Sequence, residues 1–158
     1  MAMKGACLSI GLCAALSLMG SYSFAQQTPS DPRRLVLVSG GNSDIPPLAP
    51  TQVRKLYLGA PLIVHGKRIE PLRNTSDLLL YEVFLQKIVF MSARNYERQL
   101  LSQVFREGGG QPKVFEDTDE LTDILRKNPH TVSYMWSDTA TGRPGLKVVQ
   151  ELWQGATP

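Results

Sequence analysis

Few side chains in this chain of 158 residues have the type and spacing that catalysis or metal binding requires. The two histidines, His65 and His130, lie far apart, and neither has a neighbouring cysteine or a second histidine at the spacing that helical metal sites favour. No serine lies in a Gly-x-Ser-x-Gly turn, so a hydrolytic triad has no support. We therefore assign no catalytic residue, no metal ligand and no cofactor.

Three further motifs are explained by local structure. The triplet Gly108-Gly109-Gly110 lacks the Lys-Ser/Thr pair of a phosphate-cradling loop and is typical of a connector. The acidic cluster at residues 116–120 suits the start of a helix; calcium binding is the alternative, but the cluster lacks an alternating ligand series and a central glycine. The sequence Asn74-Thr75-Ser76-Asp77 offers four capping residues before an apolar run, so we expect a helix to begin near Ser76.

The amino-terminal residues 1–25 have the pattern of a secretory signal peptide. Lys4 precedes an apolar run from Ala6 to Met19, and small residues lead to a cleavage point after Ala25. The apolar run is shorter than the roughly 20 residues that span a bilayer, so a retained membrane anchor is the weaker interpretation. We expect an exported, periplasmic protein whose two cysteines, Cys7 and Cys13, are removed with the signal peptide.

Size and charge limit what the remaining chain can be. Residues 26–158 suffice for one domain with its own core, and residues 26–33 read as a flexible lead-in. The chain carries 17 basic and 14 acidic residues with the two signs interspersed, so we expect no nucleic-acid partner. We also expect no membrane span once the signal peptide is cleaved.

The rest of the chain alternates between predicted strands and helices. Apolar and β-branched runs predict strands over residues 34–39, 131–136 and 146–152, and a short hairpin over residues 62–72 in which Pro71 marks an edge strand or a strand end. Helical spacing predicts helices over residues 50–59, 78–85, 93–106 and 119–127, the third with Leu101, Val104 and Phe105 on its apolar face. This order indicates an α/β domain with helices flanking a small mixed sheet.

Three segments of this domain resemble the phosphate-binding proteins of bacterial ABC importers. They are residues 35–38, 48–59 and 125–134, and Tyr57-Leu58-Gly59 is the most specific piece. In that family a hinge strand precedes a motif ending in Ile-Tyr/Phe-Leu-Gly, and the lobe ends in Pro-Gly-Ala-Ile-Gly-Tyr. The resemblance spans residues 35–136 and implies a type 2 periplasmic-binding-protein-like fold. The family clamps its ligand between two lobes, whereas this chain has enough residues for one. We therefore expect a single lobe, residues 34–154.

The resemblance also implies a candidate ligand site, from which this sequence departs. The family's Gly-Ser-Gly-Thr turn, which presents N–H groups and hydroxyls to phosphate, becomes Asn74-Thr75-Ser76-Asp77. Both glycines are replaced, and Asp77 puts a negative charge where an anion would bind. Arg73, Asn74, Thr75 and Ser76 are the candidate ligand-binding residues, with Arg68 as a further cation. A simple helix cap is the alternative for this turn.

Two functional hypotheses follow from the resemblance. The first is a non-enzymatic solute-binding-like protein that binds a small oxyanion such as phosphate weakly and is linked to ABC-type phosphate uptake. The second is a periplasmic interaction or sensor-accessory module that has lost ligand binding, in which a partner protein or a second copy covers the face that met the other lobe. An enzyme would require a pocket with strongly shifted ionisable groups.

Overall fold

The computed structural model describes residues 32–107 and 110–155 as one mixed α/β unit. Five strands form the main sheet in the order β5-β4-β6-β1-β7: β1 is Arg33–Gly40, β4 Glu70–Asn74, β5 Lys113–Phe115, β6 Thr131–Trp136 and β7 Leu146–Gly155. β4 is parallel to β5 and β6, whereas β1 is antiparallel to both of its neighbours, β6 and β7. The predicted small mixed sheet is confirmed. The predicted signal peptide lies outside the described residues, as do Gly108 and Gly109 of the glycine triplet.

The helices begin and end largely where the sequence predicts. They are α1 Pro50–Tyr57, α2 Leu78–Phe84, α3 Ala93–Glu107, α4 Thr118–Lys127 and α5 Ser137–Thr141. Pro50 is the first residue of α1, and Gly59 follows its end with φ of 96°, a conformation that glycine adopts without steric cost. The carboxylate of Asp117 caps α4 by accepting the N–H groups of Asp119 and Glu120 at 2.7 and 2.9 Å. α5, a single short turn after β6, was not predicted.

The segment before α2 differs from the predicted hairpin. The two-stranded hairpin is short, β2 Ile63–Val64 with β3 Lys67–Arg68, and β4 is a separate strand inside the main sheet. The expectation that the strand containing Pro71 is an edge strand or ends at Pro71 is therefore wrong, because β4 lies between β5 and β6 and continues to Asn74. Glu70 donates its N–H to the His130 carbonyl on the β6 side, so the nitrogen of Pro71 faces the β5 side, where pairing begins only at Leu72.

Two further differences concern the helices. Residues Leu85–Val89 continue α2 as a π-helix, whose wider turn buries Leu85, Ile88 and Val89 on the side that packs against the sheet. In α3 only Tyr96 and Leu100 are fully buried, whereas Leu101 and Phe105 are exposed. The predicted apolar face of α3 was therefore too wide, because its carboxyl-terminal half turns these two side chains to solvent.

Helices cover both faces of the sheet, and each face has its own apolar core. Alternate residues of β1 point to opposite faces: Leu35 and Leu37 pack with α1, α2 and the π-helix, whereas Val36 and Val38 pack with α4. The larger core contains four aromatic rings, in which those of Tyr57, Tyr96 and Tyr134 each pack against the ring of Phe84. Over residues 32–107 and 110–155, no helix combines the length and apolarity needed to cross a membrane.

Candidate functional site

The candidate ligand-binding turn lies where β4 ends and α2 begins. Because β4, β5 and β6 are parallel, their carboxyl ends meet at one edge of the sheet, the edge where α/β proteins commonly bind ligands. Asn74 ends β4 at this edge, Phe115 ends β5, and Trp136 ends β6. Side chains from three separate parts of the chain therefore converge around residues 74–77.

Asn74 connects the turn to the neighbouring strand and to the turn itself. Its side chain is buried, and its amide Nδ2 donates to the Tyr134 carbonyl of β6 at 3.1 Å. Its Oδ1 accepts hydrogen bonds from the N–H and the hydroxyl of Ser76, at 3.1 and 2.6 Å. Asn74 is thus a structural residue that orders the backbone before α2.

The two hydroxyls of the turn also have partners within the protein. Thr75 Oγ1 donates to the Phe115 carbonyl at 3.2 Å, and the Thr75 N–H donates to the same oxygen at 2.8 Å. Ser76 Oγ, which donates to Asn74, accepts a hydrogen bond from Thr118 Oγ1 at 2.9 Å. Each hydroxyl has a single proton, so in this arrangement neither Thr75 nor Ser76 has one left for a ligand.

Asp77 is the residue that closes the start of α2. Its Oδ1 accepts the N–H groups of Leu79 and Leu80, at 2.8 and 3.1 Å, and its Oδ2 accepts the indole N–H of Trp136 at 2.9 Å. The carboxylate thus takes up donors that an anion at this helix start would otherwise use. Arg33 lies nearby, with its guanidinium 5.2 Å from the centre of the Trp136 ring.

These contacts set the protonation behaviour of Asp77. Partial burial acts to raise the pKa of its carboxyl, but the hydrogen bonds from Trp136, Leu80 and Leu79 and the charge of Arg33 outweigh it and lower the pKa below the ordinary value. Asp77 is therefore ionised at neutral pH. A second anion at the same position would meet its charge directly.

Arg73 does not belong to this group, although it precedes Asn74 in the sequence. Successive residues of a strand point to opposite faces, so the Arg73 side chain lies on the α3 side of the sheet. It is 3% exposed, forms an ion pair with Glu97, donates to the Tyr81 hydroxyl at 2.9 Å and lies over the Tyr96 ring. Arg68, the further candidate cation, lies in β3, before the amino end of β4. The structure thus brings Asn74, Thr75 and Ser76 together and separates both arginines from them.

Sequence reasoning missed Thr118 and Trp136 as parts of this site. Thr118 follows β5 and Trp136 ends β6, and the carboxyl ends of both strands meet that of β4 at the same edge of the sheet. This convergence becomes visible only once β4, β5 and β6 are recognised as parallel. Within residues 32–107 and 110–155, no group of three or more His, Cys, Asp and Glu side chains could hold a metal ion.

Comparisons with known proteins bear on the fold. No family model matches the chain, and no curated protein matches its sequence. Among solved structures it is similar to a protein assigned as a phosphate ABC transporter substrate-binding protein, with bound phosphate, from Clostridium perfringens, with a TM-score of 0.53 and 12% identity over 76% of this chain and 45% of that one. It also matches the substrate-binding domain assigned to a molybdenum ABC transporter of Clostridium difficile, with a TM-score of 0.42 and 12% identity over 77% of this chain and 43% of that one.

The first of these likenesses establishes the fold. The chain has the α/β fold of substrate-binding proteins and spans about half the length of the solved structures it matches. The resemblance to a single lobe of the type 2 periplasmic-binding-protein-like fold is thereby confirmed at the level of fold.

Proposed function

We propose that this protein is an exported, non-enzymatic, solute-binding-like lobe whose anion position is occupied by its own Asp77, and that it acts by contact with another protein. The observation that carries the proposal is the Asp77 carboxylate, which accepts two backbone N–H groups of α2 and the indole N–H of Trp136. The internal pairing of the Thr75 and Ser76 hydroxyls supports the same interpretation.

Titration calorimetry with inorganic phosphate tests the loss of ligand binding. We expect no measurable binding by the unmodified chain. Asp77→Thr removes the charge, keeps a capping side chain and reproduces the residue of the importer motif, so we expect weak phosphate binding to appear. Asp117→Thr changes the matching cap of α4 and serves as the control, for which we expect no binding. A low micromolar dissociation constant for the unmodified chain would contradict the proposal.

A second candidate function is weak binding of a small oxyanion such as phosphate at Asn74, Thr75 and Ser76, without the charge of Arg73, whose side chain is buried on the α3 side of the sheet. The bound phosphate of the similar Clostridium perfringens protein favours this candidate. Binding would require the hydroxyl protons of Thr75 and Ser76 to leave their present partners. Reduced phosphate binding in a Thr75→Val variant, from a measurable level in the unmodified chain, would support this candidate over the first.

Export is part of the proposal and has its own test. Lys4, the apolar run that follows it and the small residues before Gln26 support cleavage of a signal peptide. We expect the chain produced with its own leader in a Gram-negative host to be recovered from the periplasm, with an intact mass that corresponds to residues 26–158. Recovery of the full-length chain in the cytoplasm would contradict export.

A further inference from the structure

Phe90 has an unusual backbone conformation for a large side chain at the surface. It ends the π-helix with φ of 59° and ψ of 43°, in the left-handed region, and it is 66% exposed. That conformation costs about 1–2 kcal/mol for an L-residue other than glycine, so a glycine would be less strained here. Because the ring gains little burial within its own chain, a contact outside the chain would account for the strained position of this side chain.

The surrounding contacts hold Phe90 in this conformation. The N–H groups of Phe90 and Met91 both donate to the Leu85 carbonyl. Arg54 of α1 donates from Nε to the Val89 carbonyl at 3.0 Å, and its guanidinium lies 5.6 Å from the centre of the Phe90 ring. The ring is therefore presented to solvent at a defined position rather than on a free chain end.

An apolar cavity of about 210 Å³ lies beside this ring, between α1, the π-helix and β7. Its apolar wall includes Val53, Ile88 and Leu152 together with Phe90 itself. A cavity of about 150 Å³ lined by apolar side chains accommodates benzene. The cavity is thus large enough for one phenyl side chain, and the exposed Phe90 ring forms part of its lining.

The adjoining strand, β7, is an edge of the sheet. Over the described residues, only β1 forms hydrogen bonds to the backbone of Leu146–Gly155. Two shifts in its register with β1 leave Leu152 and Val149 as extra, bulged residues. Because bulges disturb the flat row of N–H and C=O groups that another strand would pair with, we expect contact through side chains rather than through a continuous ladder.

The rim of the cavity carries charges of both signs. Lys87 and Arg54 lie on it together with Glu151, and none of the three forms an ion pair within the part of the chain that the structure describes. A surface with neighbouring positive and negative groups can complement a copy of itself across a two-fold axis, because each cation then faces the partner's carboxylate.

We propose that the protein forms a two-fold homodimer through this surface, which we call the Phe90 surface and define by Arg54, Lys87, Phe90, Glu151 and Leu152. Phe90 of each copy enters the cavity of the other, and Lys87 of each copy faces Glu151 of the other. This proposal builds on the function proposed above by naming a second copy of the chain as the contacting protein.

The first test is sedimentation of the purified chain, expressed with its own leader, from low to high micromolar concentration. We expect a concentration-dependent dimer that Phe90→Gly converts to a monomer, and we expect the melting temperature not to fall at concentrations where the unmodified chain is itself monomeric, since glycine relieves the left-handed strain. Phe105→Ala removes another exposed phenyl ring, on α3, and we expect it to leave the dimer intact. A monomer throughout the range, or a dimer lost with Phe105→Ala and kept with Phe90→Gly, would overturn the proposal.

The second test uses charge reversal and identifies the two-fold arrangement. Lys87→Glu and Glu151→Lys each bring like charges together in a homodimer, so we expect each variant alone to be monomeric. In an equimolar mixture every pair across the interface again has opposite charges, and we expect the dimer to return. If circular dichroism shows that both variants are folded and their mixture still fails to associate, the proposal is overturned. If the unmodified chain is monomeric and also fails to bind phosphate, the dimer proposal is overturned while the proposed function is retained.

Discussion

At the carboxyl end of β4 a single side chain, Asp77, determines what the turn offers to solvent. Its carboxylate caps α2, accepts the Trp136 indole from β6 and carries a full charge at neutral pH. One residue therefore contributes to helix stability and to the contact between α2 and the sheet, and it places a negative charge at the start of α2. The carboxylate itself accepts the backbone N–H groups of Leu79 and Leu80 at this helix start.

The pH dependence of Asp77 can be predicted in sign. Because its pKa is lowered in the folded state, its contribution is fully present above the unfolded pKa, about 3.9, and is lost as pH falls through the folded value. Asp77→Asn keeps a side chain that can cap α2, but it replaces the charged oxygen that accepts the indole N–H of Trp136 with a neutral group. We therefore expect the free energy of unfolding at pH 7 to fall by about 1 kcal/mol.

Urea denaturation at pH 7 and at pH 3 measures both effects. The difference between the unmodified chain and Asp77→Asn should shrink at the lower pH, where the carboxyl begins to be protonated. Asp117→Asn is the comparison at an exposed cap. An equal or larger difference between the unmodified chain and Asp77→Asn at pH 3 would show that the charge of Asp77 does not contribute to stability.

Two buried tyrosines offer a second test at the residue scale. Tyr96 Oη donates to the Tyr57 carbonyl at 2.8 Å, whereas Tyr134 Oη has no hydrogen-bond partner among the described residues. We expect Tyr96→Phe to lower the free energy of unfolding by about 1–2 kcal/mol and Tyr134→Phe to leave it unchanged or raise it. Thermal unfolding followed by circular dichroism compares them, and a larger loss for Tyr134→Phe would contradict the assignment.

At the scale of elements, Gly40 allows the end of β1 to pack closely against α4 because it has no side chain. A Cβ atom at Gly40 would overlap the Leu125 backbone carbonyl, which cannot move without displacing α4. At Gly142 a Cβ would meet the Asp138 carbonyl oxygen at 3.4 Å, an ordinary contact. The two glycines therefore differ in what an added methyl group does to the packing of neighbouring elements.

We accordingly expect Gly40→Ala to lower the free energy of unfolding by about 2–3 kcal/mol, the upper part of the range for inserting atoms into a packed interior. Gly142→Ala is the matched control, and we expect a change below about 0.5 kcal/mol. Chemical denaturation of both variants decides the matter. Equal effects would show that β1 and α4 do not approach as closely as described.

At the scale of the whole molecule, the sheet separates two cores that share its strands. Leu121 and Leu125 of α4 pack on one face, while Phe84 and Leu80 of α2 pack on the other. Because β1, β4 and β6 contribute side chains to both faces, we expect the two layers to unfold together.

Truncations on the two faces test this expectation. We expect Leu121→Ala and Phe84→Ala each to lower the free energy of unfolding by about 2–5 kcal/mol while unfolding remains a single transition. The measurement is urea denaturation followed in parallel by circular dichroism and tryptophan fluorescence. Transitions that separate between the two signals would show that the layers are independent.

Much of the fold could be predicted from the sequence because it depends on local patterns. Periodicity located β1, β6 and four helices, and Pro50 and Gly59 marked the ends of α1. Other features depend on distant neighbours. β5 has only three residues, too few for a periodic signal, and Pro71 is tolerated inside the sheet because β5 does not reach it.

For the candidate site, the features that follow from the sequence and those that depend on the tertiary structure separate more clearly than for the fold. The sequence by itself determined the mixed α/β class, the capped start of α2 and the negative charge at Asp77, since these follow from residue type and short-range spacing. Only the tertiary structure decided that Arg73 points away, that Thr118 and Trp136 join the turn, and that the hydroxyls are already paired. The reason is physical: strand alternation and the parallel pairing of β4, β5 and β6 determine which side chains meet, and both depend on contacts between segments far apart in the chain.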